Sequence, residues 1–179
     1  QTALPHVQGN LANRERIPPF LSVYQSSSPS YVLMPSIDAC VDLLEREGEE
    51  LFRSHIKRLS AFRESCRELK TLYLAGKERI GEKAADFDRS KLLVSTGRAG
   101  ITGSRLSRLL PERYHIQMEM TAPDCVVGIA SVADTEEDFA RLDRALRELD
   151  AEFAGEPERL ISDQVLGIPR LAARMTAGE

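Results

Sequence analysis

The chain has 179 residues, 42% of them hydrophobic and 29% charged, with a formal net charge of -4. That length suits one modest domain, or a small domain with part of another, and it can bury a core of its own. The mild negative charge, with Lys and Arg interleaved among acids, argues against a dedicated nucleic-acid binder, and the longest apolar runs, such as 126–130, are far too short to span a bilayer.

Residues 1–35 are punctuated by Pro5, Gly9, Pro18, Pro19, Pro29 and Pro35. Such a lead rarely packs alone and reads as chain meant to lie against something else. Its apolar stretch 20–24 fits a short helix or a strand. At Ser36 the pattern changes. Ser36 is the expected N-cap of a helix, with Asp38 in its first turn where the helix dipole favours an anion. Ile37, Val41, Leu44, Leu51, His55, Leu59, Phe62, Cys66 and Leu69 then recur near helical period. Gly48 costs about 1 kcal/mol relative to Ala inside a helix, so the reading is two helices, or one kinked helix, over 36–69.

Residues 72–74 read as a short strand closed by Gly76, and 91–95 as a second strand. Gly97, Gly100 and Gly103 make a turn into a helix that buries Ile101, Leu106, Leu109 and Leu110, with Pro111 expected to end or kink it. From His115 to Met120, apolar and polar residues alternate as in a half-buried strand. Residues 121–124 supply a turn and 125–131 the next strand, which favours an antiparallel hairpin. Asp134 and Glu137 have the form of a capping box. Phe139, Leu142, Leu146, Leu149 and Phe153 make the apolar stripe of a closing helix. The tail 156–179, interrupted by Pro157, Gly167 and Pro169, is expected to be mostly irregular chain docked on a surface. No internal repeat or low-complexity tract is apparent.

Three Cys, at positions 40, 66 and 125, fit no disulfide framework and no zinc-ligand spacing. Cys40 and Cys66 stand among helical apolar positions and are expected to be buried free thiols. A reducing cytoplasm follows as an expectation. His6, His55 and His115 are scattered. His55 falls on the helical stripe and reads as a core or boundary residue, and His6 has no acid or base beside it in the sequence. The Gly97-Arg98-Ala99-Gly100 turn is an anion-binding candidate, but a surface Arg is the commoner case, and no dinucleotide or Walker pattern is present.

Three blocks carry a family resemblance. The chain opens Gln1-Thr2-Ala3-Leu4-Pro5-His6-Val7, without an initiator Met or a signal-like segment. Residues 25–38 run Gln-Ser-Ser-Ser-Pro-Ser-Tyr-Val-Leu-Met-Pro-Ser-Ile-Asp. The third block starts at Asp88 and takes in Lys91-Leu92-Leu93-Val94, Gly100-Ile101-Thr102-Gly103, Leu106, Leu110, Tyr114, Ile116 and Glu119. In order and spacing these resemble the Orn/Lys/Arg decarboxylase family, enzymes that use pyridoxal phosphate (PLP) on an aminotransferase-like, fold type I scaffold.

The resemblance implies that the chain is the C-terminal portion of such an enzyme. Its Schiff-base Lys then lies upstream of Gln1, and no catalytic residue and no metal ligand is expected within the chain. It implies an α/β protein, α+β for this portion. Residues 1–35 would end the large PLP-binding domain, 36–70 form a connecting helical region, 71–155 a small domain with a mainly antiparallel sheet and packed helices, and 156–179 an irregular tail. It implies the upstream portion as a partner, a homodimer or higher oligomer, and a small basic amino acid as substrate; no nucleic acid and no membrane are expected.

Ser27 and Ser28 are implied contacts to the PLP phosphate of the neighbouring subunit. Hydroxyls and free N–H groups suit phosphate oxygens, and Pro29 stiffens the turn. The family often carries Thr where Ser27 stands, which keeps the hydroxyl. A Ser-rich loop capping the next helix is the alternative reading. Glu119, on the face opposite Met118 and Met120, suits a cationic substrate side chain; an exposed strand residue is the alternative. Lys57, Lys70, Lys77, Lys83 and Lys91 have no His-Lys context and are not assigned as the covalent anchor. A reading from another class stays open. The strand-helix-strand-strand-helix order over 91–153 also suits an autonomous ferredoxin-like or ACT-like ligand-binding or oligomerisation module.

Overall fold

Two prolines open the first helix. Pro18 and Pro19 lie in the first turn of α1 (Ile17–Tyr24), where a backbone N–H has no helical acceptor and the fixed φ of Pro already matches the helix. The segment that read as helix or strand is therefore helical. The computed structural model describes residues 7–24, 28, 30–80 and 86–154. The expectation for the tail 156–179 lies outside the described residues, as do Ser27 and most of the block that opens the chain. The chain divides into two units, residues 1–55 and 56–179.

In the first unit, a 3-10 turn (Arg14–Arg16) precedes α1, with the Asn13 carboxamide accepting from the Glu15 N–H at 3.0 Å. Helix α2 (Leu33–Ser65) begins three residues before the expected start and runs on into the second unit. Ser30 takes the capping role given to Ser36. Its hydroxyl accepts from the Leu33 N–H at 3.4 Å and its carbonyl from Met34 at 3.0 Å. Pro35 is tolerated because it falls in the first turn. Ser36 lies inside the helix and donates back to the Leu33 carbonyl at 2.7 Å. Gly48 neither breaks nor divides α2, and the turns beside it carry Asp42–Arg46 and Glu49–Arg53 ion pairs. Along this part of the helix the apolar stripe stays largely uncovered. Val41 is 42% exposed, and Cys40, expected to be buried, is exposed. Burial begins at His55 and continues through Leu59, Phe62 and Cys66.

The second unit is built on a four-stranded antiparallel sheet of order β1-β2-β4-β3. Its strands are β1 (Tyr73–Leu74), β2 (Lys91–Ser95), β3 (Met120–Ala122) and β4 (Cys125–Ile129). A short helix α3 (Lys77–Ile80) follows β1. Helix α4 (Gly103–Tyr114) joins β2 to β3, which run parallel with β4 paired antiparallel between them, a split β-α-β arrangement. Helix α5 (Glu136–Glu152) closes the unit. Because side chains alternate along a strand, Leu74, Leu92, Val94 and Val126 enter the core beneath α4 and α5, where Leu106, Leu110, Leu146, Leu149 and Phe153 are also buried. The Phe62 and Phe139 rings pack with centroids 5.6 Å apart.

Three expectations shift here. The alternation over His115–Met120 is not a strand; residues 115–118 are irregular and β3 begins at Met120. The physical cause lies upstream. Pro111 forfeits one hydrogen bond but does not end α4, which reaches Tyr114 and reverses at His115 in the left-handed region, φ 57°. The chain is then drawn back on itself, with the Ile116 N–H donating to the Leu110 carbonyl at 3.2 Å. The capping box sits one residue later than expected. The Thr135 hydroxyl accepts from the Asp138 N–H, and the Asp138 carboxylate accepts from the Thr135 N–H. The first strand is two residues long, Tyr73–Leu74.

Two polar anchors tie α5 to the chain running from the end of α2 toward β1. Asp150 is buried, and its carboxylate accepts from the N–H groups of Lys70, Thr71 and Leu72 at 2.9, 2.7 and 2.7 Å and from the Thr71 hydroxyl at 2.8 Å. Ser65, at the end of α2, donates to Asp143, and Arg147 bonds Asp143 at 2.9 Å, Glu68 at 2.9 Å and the Ser65 carbonyl at 3.0 Å.

Candidate functional site

Of the two serines singled out by sequence, Ser27 is outside the described residues and Ser28 is exposed at a bend in the first unit. Helix capping in that loop falls to Ser30. Glu119 belongs to the second unit and is exposed. Its N–H donates to the Val127 carbonyl at 2.8 Å, so its backbone prolongs the β3–β4 pairing by one step.

Lys57, Lys70, Lys77 and Lys91 are all exposed, and Lys83 is outside the described residues. A Lys that anchors an aldehyde cofactor works from a desolvated setting, with fixed contacts to the cofactor's phosphate. None of the four has that setting. The described residues therefore do not fit PLP by themselves, and no chemical step follows from them. Among the described residues there is also no group of His, Cys, Asp and Glu able to hold a metal ion.

Two concavities stand out among the described residues of the second unit. One, of about 190 Å³, lies between the irregular segment 115–118 and the start of α5. Leu92, Met118, Gly128 and Phe139 line its apolar part, and Asp134 and Arg141 are among its polar lining. A Cβ on Gly128 would stand 3.0 Å from the Met118 methyl, so this wall is packed to contact. Its carboxylates are engaged locally. Asp134 accepts from the Ser131 N–H at 2.5 Å, and Asp138 from the Thr135 hydroxyl at 2.7 Å and N–H at 3.0 Å. Those bonds, the hydroxyl first, hold the Asp138 carboxyl below the usual range. The cleft can take a small apolar group, but it has no nucleophile paired with a base. Glu119 is not part of its lining.

The other concavity, of about 490 Å³, is lined by Arg63, Tyr73, Phe87 and Arg89 among others. Arg63 donates from Nε and Nη2 to the Arg89 carbonyl at 2.9 and 2.7 Å, from Nη2 to Lys91 at 2.9 Å and from Nη1 to Ala75 at 3.0 Å. It also lies 5.3 Å from the centroid of the Phe87 ring. Burial, and after it the like charge of Arg89, lowers its pKa. This guanidinium staples α2 to the residues bordering β1 and β2 instead of awaiting an anion. Its contacts are long-range, and no local motif announces them. Beside it, burial and then the Asp143 charge push the Cys66 thiol up to about 12, so it is no nucleophile at neutral pH. Among the described residues no helix is long and apolar enough to cross a membrane.

Comparison with known proteins supplies what these residues lack. No family model matches the chain. It is 30% identical over 166 residues to an arginine decarboxylase of Bacillus cereus, a match covering 92% of this chain and 36% of that protein. An arginine decarboxylase of Halalkalibacterium halodurans is 33% identical over 175 residues, covering 96% of this chain and 36% of the relative. The chain thus spans about a third of the length of the curated relatives it matches. Its fold resembles the lysine decarboxylase of Francisella novicida (TM-score 0.59, 20% identity) and the constitutive lysine decarboxylase of E. coli (TM-score 0.58, 19% identity). Each of these matches covers 82% of this chain and 25% of the other. The three sequence blocks, the α+β fold and these likenesses agree: the chain resembles a C-terminal portion of the Orn/Lys/Arg decarboxylases.

Proposed function

We propose that this chain is the C-terminal part of a PLP-dependent decarboxylase of a basic amino acid, arginine, lysine or ornithine, which releases CO2 and a polyamine-type amine. The observation that carries the reading is the sequence match to arginine decarboxylases, which takes in nearly all of this chain and about a third of theirs. The surface of residues 17–52 supports it. Phe20, Leu21, Val23, Tyr24, Val32 and Phe52 are 43, 48, 76, 86, 82 and 49% exposed. So many large apolar side chains in one stretch mark an interaction surface. On this reading residues 1–35 complete the large domain, 36–70 connect, and 71–155 form the small domain of a cytoplasmic homodimer or higher oligomer. Ser27 and Ser28 reach the PLP phosphate of a neighbouring subunit, and Glu119 favours the cationic end of the substrate. When bound, PLP supplies the electron sink for loss of CO2; the covalent Lys belongs to the portion upstream of Gln1.

The test mixes the chain with PLP, with and without the upstream portion of its own protein. The expected result is no visible absorbance of Lys-bound PLP and no CO2 from arginine, lysine or ornithine with the chain alone, and both signals with the two portions together. Lys-bound PLP on the isolated chain, or no activity in the reassembled pair, overturns the reading. The autonomous-module alternative keeps one structural argument, the split β-α-β core. Against it, the sheet position beside β2 is filled by β1, which precedes that core, and not by a strand after α5.

A further inference from the structure

The sheet of the second unit carries apolar residues on both faces, although Tyr73, Lys91 and Ser95 stand on the outer one. The register places Leu93 of β2, Met120 and Ala122 of β3, and Cys125, Val127 and Ile129 of β4 on the face opposite the core. An antiparallel sheet with one wet face normally alternates apolar with polar residues. Here Met120 is 64% exposed and Ile129 50%, while Leu93, Cys125 and Val127 are half-buried. We propose that this open face is the docking surface for the chain's own C-terminal segment, residues 155–179.

Size favours a segment over a second copy of the chain. The fifteen residues of the four strands, at about 4.8 Å spacing and about 3.4 Å rise, give a face of roughly 250 Å². A stable dimer needs about 800 Å² from each partner, whereas one extended segment of roughly eight residues covers a patch of this size. Position favours this segment. Asp150, near the end of α5, holds the backbone of Lys70, Thr71 and Leu72, which lead directly into the edge strand β1. Chain leaving α5 starts beside α4, on the helix-covered side of the sheet, and its extended reach, on the order of 80 Å, is enough to pass the β1 edge to the other face. Composition agrees, since Leu160, Ile161, Val165, Leu166, Ile168 and Leu171 supply the apolar side chains that such a face requires. The inference does not depend on the decarboxylase reading.

Cys125 lies on the open face and reports on its coverage. In a Cys40→Ser background, the rate at which a neutral thiol reagent labels Cys125 is compared between the full chain and a chain ending at residue 154. Circular dichroism confirms that both are folded, and Cys66, buried with a raised pKa, stays silent. The expected result is labelling at least tenfold faster without the segment. The same acceleration is expected from Leu160→Asp with Ile161→Asp, or Val165→Asp with Leu166→Asp, in the full-length chain. Equal rates in truncated and full-length monomers overturn the proposal. So does protection that rises with protein concentration in the truncated chain, because a second copy is then the occupant.

Discussion

Asp150 is the residue on which the sheet and α5 most plainly depend. Burial raises its pKa, but the N–H groups of Lys70, Leu72 and Thr71 and the Thr71 hydroxyl lower it by more, and the carboxyl lies below its ordinary value. A carboxyl so depressed stabilises the fold above its unfolded pKa, near 3.9, and that contribution is lost as pH falls through the lower folded value. Asp150→Asn removes the charge and turns an NH2 group toward backbone donors. It is expected to cost about 2 kcal/mol at neutral pH, read as a lower urea midpoint with unchanged slope, and to flatten the acid limb of stability against pH. Nothing in the helical stripe of 139–153 distinguishes Asp150 from a solvated acid, because its partners are about eighty positions away. The cysteines carry the same lesson. Cys40 and Cys66 both stand on apolar helical positions, yet only Cys66 has a core to enter. Thiol labelling of the folded chain is expected to modify the exposed Cys40 and to reach Cys66 only after unfolding.

At the scale of elements, two glycines should respond to the same substitution with opposite signs. Gly48 is in mid-α2, and a Cβ there would meet only Leu44, at 3.7 Å, an ordinary contact. Gly48→Ala is expected to raise stability by about 0.5–1 kcal/mol through helix propensity. Gly103 opens α4 against the β3–β4 turn, its N–H donating to the Pro123 carbonyl at 3.0 Å, and a Cβ there would collide with the carbonyl oxygens of Ala122 and Cys125. Gly103→Ala is expected to cost about 1–3 kcal/mol. Paired chemical denaturation of the two variants checks both directions. Sequence periodicity was sound for β2, α4, β4 and α5, whose buried residues follow the stripes read from the chain. It failed at 115–120, where apolar residues at every second position are an accident of a helix end, a left-handed His115 and a chain reversal. Periodicity assumes one regular element, and three irregular steps produced the same pattern.

For the molecule as a whole, the core is unevenly shared. Among the described residues the buried apolar side chains of the core begin at Leu59, while the first unit exposes large apolar side chains along both its helices. A fragment of residues 56–154 is therefore expected to fold alone, with one cooperative urea transition and a circular dichroism spectrum of mixed helix and strand. A broad, non-cooperative transition sinks that expectation. The order of elements, most of the core positions and the family blocks were all legible in the residues themselves, because each rests on local periodicity, turn chemistry or short-range spacing. The tertiary structure alone decided which stripe positions find a core, how β4 inserts between β2 and β3, that Arg63 and Asp150 are structural anchors, and that the outer face of the sheet gathers Leu93, Met120, Val127 and Ile129. Those features depend on contacts between residues far apart in sequence, and such contacts leave no periodic trace along the chain.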